Sequence, residues 1–292
     1  MENEGDEVSV KLHHDPAHPI FNFILEYYGF NHADLHRYSP GSCIFLQGAL
    51  ADDPRLHRKA FVAAEGGGFF DPGLIPEKRL AWFKWIAELL RVTMDREPSF
   101  KCFGLHEWAM LYRPAADEDA PVSRFQQLRL RLSQQELNMV VEAGLLSCTH
   151  YDASRHFPHS ALPLNAIQPP PSKSRRLNLE QPGCVHTNMD LFKWAVKAVP
   201  FIPSDIVREA LSIAIEARVL DMRASPYDLT KVSLQRGSAD FDASPVRVET
   251  AGGREDYQLM QWAIHRRAKP LRERLLHHYE KMLTDAAGRR RP

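Results

Sequence analysis

Four short stretches concentrate the side chains that can move protons, hold metals or recognise a ligand: FGLHEWAMLY (103–112), CTHYDASRHFPH (148–159), QPGCVHTNMDLFKW (181–194) and LDMRASPYDL (220–229). In the first, His106 and Glu107 are neighbours, so on a helix they point about 100° apart and do not form an HExxH zinc pair. A histidine backed by a carboxylate and a buried, hydrogen-bonded histidine both remain open there. The second and third each carry a C-x-H triplet, Cys148-Thr149-His150 and Cys184-Val185-His186. Two thiols and two imidazoles could complete a tetrahedral zinc site, although this is not zinc-finger spacing. A separate set, His150, Asp152, His156 and His186, offers nitrogen and oxygen ligands suited to iron or zinc with an open position. Without a metal, the same histidines serve as acid–base or hydrogen-bonding groups.

In the third stretch Thr187 and Asp190 suit a helix start, a hydroxyl at the cap and a carboxylate three residues on. That leaves Asn188 without a structural task, while Lys193 can pair with Asp190 at i, i+3. In the fourth, Asp221, Arg223, Tyr227 and Asp228 straddle Ser225-Pro226, where a helix should stop. Carboxylates and a ring at such a terminus can face a ligand. An Asp221–Arg223 ion pair with the tyrosine packed on the proline is the structural alternative.

The elements that must position these groups are mainly helical. Phe21, Ile24, Leu25 and Tyr28 have helical spacing, and a strong helix is expected from Glu77 to about Arg96, with Leu80, Phe83, Ile86 and Leu90 on one face and Trp82 and Trp85 in the core. Ser133 and Glu136 form a capping box for a helix closed by Gly144. Thr187 should cap a helix running to about Val199, and Pro203-Ser204-Asp205 should open another that buries Ile206, Ala210, Ile213, Ala217 and Leu220. A last helix, Glu255 to about Leu283, should kink or break at Pro270. Short strands are expected at Cys43–Gln47, Ala60–Ala64, Leu128–Leu132 and Val246–Val248, with Gly66-Gly67-Gly68 as a turn. The fold class is therefore mainly α with minor β, a single helix-rich globular domain over 16–285. Residues 1–15 read as a disordered arm, Pro114–Pro121 as an acidic surface loop, 168–182 as a proline-rich loop and 286–292 as a basic tail.

At 292 residues and 44% hydrophobic, the chain can bury a sizeable core. Its 37 basic and 37 acidic residues cancel, which weighs against a dedicated non-specific DNA binder. No run approaches the roughly 20 apolar residues of a membrane span, so no membrane partner is expected. Cys43, Cys102, Cys148 and Cys184 lie far apart without a CxxC pair. The polar N-terminus lacks a signal-peptide core, so a non-secreted cytoplasmic or nuclear protein with reduced thiols is expected.

The strings HPIFNFILEYY, CFGLHEWAMLYR, CTHYDASRHF, QPGCVHTNMDLFKWA and LDMRASPYDL resemble a family of uncharacterised proteins commonly described as 3-methyladenine DNA glycosylases, over roughly His18 to Leu276. The resemblance implies an N-glycosidic hydrolase that removes alkylated purines from damaged DNA or a small nucleoside-like substrate and needs no cofactor. A flipped cationic base would stack among Trp108, Tyr151 and Tyr227. Asp190 or Asp228 would act at the sugar, His186 or Asn188 would read the base edge, and Arg223 and Lys193 would complete the substrate site. Lys173, Arg175 and Arg176 would hold phosphates. The alternative expectation is a metal-dependent enzyme on a small metabolite, with iron or zinc at the His/Asp set above.

Overall fold

The computed structural model describes residues 18–290, except 21–22, 25–26, 30–31, 115–127, 231, 233–234, 237–238 and 241. The N-terminal arm, most of the acidic loop, and Phe21 and Leu25 of the first helical pattern lie outside the described residues. In chain order come α1 (His32–Leu35), β1 (Leu46–Gln47), β2 (Phe61–Ala64), β3 (Gly67–Phe70), α2 (Glu77–Met94) and α3 (Leu105–Ala109). Then follow α4 (Gln134–Ala143), α5 (Tyr151–Ser154), α6 (Arg176–Leu179), α7 (Val185–Lys197), α8 (Ser204–Ala224), β4 (Gln235–Arg236), β5 (Ala239–Asp240) and α9 (Ala251–Arg289). The chain is mainly α with minor β. Among the described residues no helix is long and apolar enough to cross a membrane.

Helices α7, α8 and α9 pack on one another, and α9 also packs on α2. The apolar spacing explains the packing: α2 buries Leu80, Phe83, Ile86 and Leu90, and α8 buries Ile206, Ala210, Ile213, Ala217 and Leu220. The capping box forms, with Ser133 Oγ accepting from the Glu136 N–H and the Ser133 N–H donating to Glu136 Oε2 at 2.8 Å. The sheet has the order β1-β3-β2, all antiparallel.

Several elements differ from the sequence expectation, each for a packing reason. Gly67 and Gly68 belong to a strand rather than a turn. A Cβ on either would collide with the Leu46 carbonyl or the Phe61 ring, so glycine lets β3 approach its neighbours. Thr187 is not a cap: α7 begins at Val185 with Cys184 at the N-cap, because Pro182-Gly183 already turns the chain inward. Leu128–Leu132 makes only an isolated bridge from Leu130 to Tyr227. Val246–Val248 is not a strand either, since the Val246 N–H goes to the Arg223 carbonyl at the end of α8, at 2.9 Å. Helix α9 runs continuously through Pro270 and starts four residues early, where Thr250 caps it and Gly253 lies against the Arg247 backbone. At its end Arg289 and Arg290 pair with Asp71 and Glu77. Trp82 is 37% exposed and Trp85 half-buried. Both lie edge-on to Trp194 on the rim of the core.

Candidate functional site

The chain entering α3 makes a left-handed turn at Phe103 (φ 50°) and Gly104 (φ 72°). Glycine suits this conformation, and a Cβ there would stand 3.1 Å from that of Ala224. The turn folds Cys102 back over the first turn of α3, with its carbonyl accepting the Leu105 N–H at 2.8 Å. Cys102 Sγ therefore lies 3.3 Å from His106 Nδ1. On the other side of the ring, His106 Nε2 lies 2.7 Å from Oδ1 of Asp221, delivered by α8. One turn earlier on α8, Arg218 Nη1 donates to Asp221 Oδ2 and to Glu107 Oε1, both at 2.7 Å. His106, Glu107, Arg218 and Asp221 are buried, and Cys102 is half-buried.

The protonation states follow from these contacts. The S–H of Cys148, donated to Cys102, together with the His106 charge holds the Cys102 thiol well below its ordinary value despite burial. Burial works against a charged His106, but Asp221 and Cys102 outweigh it and hold the ring well above its ordinary range. Both shifts favour a thiolate beside an imidazolium. Asp221 is pushed up by burial, yet His106, His186 and Arg218 more than compensate, and it stays ionised. Burial pushes Glu107 up against the pull of Arg218. His186, on α7, stands edge-on to His106 with ring centroids 4.5 Å apart, and burial keeps it neutral.

A cavity opens beside this line, lined among others by Cys102, His106, Cys148, Cys184, His186 and Tyr257. Its volume is about 10 Å³. That admits one water-sized molecule. Three buried polar atoms of lining residues have no protein partner among the described residues: His186 Nδ1, Tyr257 Oη and, also on α9, Gln261 Oε1. A small polar ligand would satisfy them.

Stacked on the far side of His186, at 5.3 Å, is His150. It anchors a second buried cluster in which His150 Nε2 lies 3.3 Å from Asp190 Oδ2 and 4.0 Å from Glu180 Oε1. Arg176 spans Glu180 (2.5 Å) and Asp190 (3.1 Å), and Lys193 spans Asp152 (2.8 Å) and Asp190 (3.6 Å). Burial would raise Asp190, but Lys193, His150 and Arg176 hold it well below its ordinary value. Two donor sets are compact enough to hold a metal ion, His106–His186–Asp221 and His150–Glu180–Asp190. In the second, each carboxylate already carries a cationic partner.

The structure thus brings together His150, Asp152, His186, Asp190 and Lys193 from the sequence expectation, although not as the anticipated metal set. His156 lies outside both compact donor sets. Asn188 is buried against a different partner, accepting from Arg272 at 2.5 Å and donating to the Pro182 carbonyl at 3.1 Å. Trp108 is fully buried, its indole N–H on the Ala224 carbonyl at 2.8 Å, and Tyr227 is 2% exposed. Tyr151 is half-buried on α5. Asp228 accepts from the backbone N–H and hydroxyl of Thr230. Arg223 pairs with Asp242 at 2.7 Å rather than with Asp221. In the proline-rich loop Arg176 points inward to the ion pairs, and Arg175 bonds the Pro169 and Pro170 carbonyls. Sequence reasoning missed Cys102, Glu180, Arg218, Tyr257 and Gln261. Nothing in the sequence pattern signalled Cys102, because a left-handed turn at Phe103 and Gly104 rather than a helix face brings it to His106.

Comparison of the chain with family models, curated proteins and solved structures gives no match.

Proposed function

We propose that this protein is a thiol-dependent enzyme in which Cys102 attacks a small electrophilic substrate. His106 supplies a proton to the leaving group from Nδ1, and Asp221 orients the ring and stabilises its charge. The observation that carries this reading is the Cys102–His106–Asp221 line, with steps of 3.3 and 2.7 Å, beside a cavity. Arg218 and Glu107 are positioning residues, since they touch Asp221 and its partner but not the cavity wall.

A second reading, a metal-dependent enzyme using iron or zinc, draws on the compactness of His106, His186 and Asp221, whose donor atoms lie within 4.8 Å of one another. Against it, the 2.7 Å contact between His106 and Asp221 is a direct hydrogen bond. Ligands sharing a zinc ion at its usual bond lengths of about 2.0–2.2 Å stand more than about 3 Å apart in a tetrahedral arrangement. The N-glycosidic reading has less support: Trp108 and Tyr227 are packed in the core, and the cavity is far smaller than a purine.

The test pairs metal analysis of the purified chain with pH-dependent alkylation mapped to each cysteine. Selective labelling of Cys102 below the ordinary thiol range, in protein without stoichiometric metal, supports the thiol reading. About one iron or zinc per chain, lost in His186→Ala, replaces it with the metal reading.

A further inference from the structure

We propose that the electrophile is a hydroperoxide and that Cys148 is the resolving thiol that completes its reduction. This rests on Cys102 being the nucleophile. The first argument is size. A cavity that admits one water-sized molecule is too small for acyl, sugar and nucleobase groups, whereas hydrogen peroxide is the electrophile nearest to it in size. The second is the wall. His186 Nδ1 and Gln261 Oε1 can accept and Tyr257 Oη can donate, so both ends of a peroxide find partners without displacing an existing protein hydrogen bond.

The third argument is the neighbouring sulfur. Cys148 has two acceptors in reach of its S–H, the Cys102 sulfur and the His150 carbonyl at 3.7 Å. Its backbone is clamped by Asn165, which accepts the Cys148 N–H at 2.9 Å and donates to the Cys148 carbonyl at 3.0 Å. The second thiol is therefore held against the first. Donation to Cys102 and burial keep it protonated at rest, so it does not compete for the substrate. Cys184 lines the same cavity, with its thiol pushed up to about 11 by burial.

The steps balance. The Cys102 thiolate attacks the proximal, hydroxyl oxygen, an S–O bond forms and the O–O bond breaks. The departing alkoxide or hydroxide takes the His106 proton and leaves as alcohol or water. Sulfur is oxidised by two electrons to a sulfenic acid, and the peroxide is reduced by two. Cys148 sulfur then attacks Cys102 sulfur, the S–O bond breaks, and the Cys148 proton leaves with hydroxide as water. A disulfide remains, which an external thiol reductant returns to two thiols.

The experiment treats the full reduced chain with hydrogen peroxide and, separately, with a bulky aryl hydroperoxide, then maps the products by mass spectrometry. We expect a Cys102–Cys148 disulfide, formed faster with the smaller peroxide. In Cys148→Ser the reaction should stop at a Cys102 sulfenic acid that a dimedone probe captures, and Cys102→Ser should form neither. Mapping the disulfide in the unaltered chain needs no variant to fold. Two results overturn the proposal: thiols left intact by peroxide while Cys102 is readily alkylated, or a disulfide that uses Cys184. The first leaves the Cys102 reading standing, whereas a Cys102 inert to both reagents refutes both.

Discussion

The most direct perturbation is His106→Gln, which removes the charge beside the thiolate while keeping a polar side chain of similar reach. At 3.3 Å, two unit charges in an effective dielectric of about 20 interact by about 5 kcal/mol, equal to almost four pH units. The Cys148 S–H donor stays in place in the variant and offsets part of that loss. A rise of about two units in the Cys102 titration midpoint is a fair lower expectation. A native thiol about nine-tenths ionised at pH 7 would fall to about one-tenth, a cut in thiolate fraction of about tenfold. The more basic thiolate recovers up to about tenfold through greater nucleophilicity, so the rate at pH 7 changes little and the midpoint itself is the readout. The assay is the iodoacetamide rate at Cys102 against pH, read by peptide mapping, with near-UV circular dichroism to check the fold. An unchanged midpoint in a folded variant would refute the ion pair, and with it the assignment of His106 as the acid–base partner.

Asp221→Asn should raise the Cys102 midpoint by less than His106→Gln, because the imidazole remains. It should also destabilise the protein by about 3–5 kcal/mol, since Arg218 loses one of its two carboxylates in the core, and chemical denaturation will measure this. Asp190 has a folded value held well below the ordinary carboxylate range, so its stabilisation is complete above that range and disappears as pH falls through the folded value. The difference in thermal midpoint between the native chain and Asp190→Asn should accordingly be constant near neutrality and close on acidification; a gap that widens instead would invert the assignment. Gly104→Ala should cost about 1–2 kcal/mol from its positive φ alone, with the Ala224 contact adding to it. It should also slow Cys102 alkylation, because this turn carries the sulfur to His106.

What was legible in the sequence were properties that depend on near neighbours. The apolar spacing of α2 and α8, the Ser133–Glu136 capping box and the mainly helical class follow from local periodicity and capping chemistry, which act within a turn or two. The crowding of reactive residues into four segments was legible too, and His106, His150, His186, Asp190 and Asp221 from those segments do lie together. Their roles were not. Trp108 and Tyr227 look like stacking groups in one dimension but are buried by the packing of α3 and the end of α8, while Asp228, one residue further, faces a local turn. Cys102 and Cys148 are 46 positions apart, and Asp221 lies a further 73 along the chain. Only the tertiary docking of their segments brings the two thiols to one cavity with Asp221 behind His106, and their ionisation depends on it. In water each would keep its ordinary proton affinity. In the core, burial penalises every charge, so a thiolate, an imidazolium and a carboxylate are favoured there only because the imidazolium stands within hydrogen-bond reach of both anions.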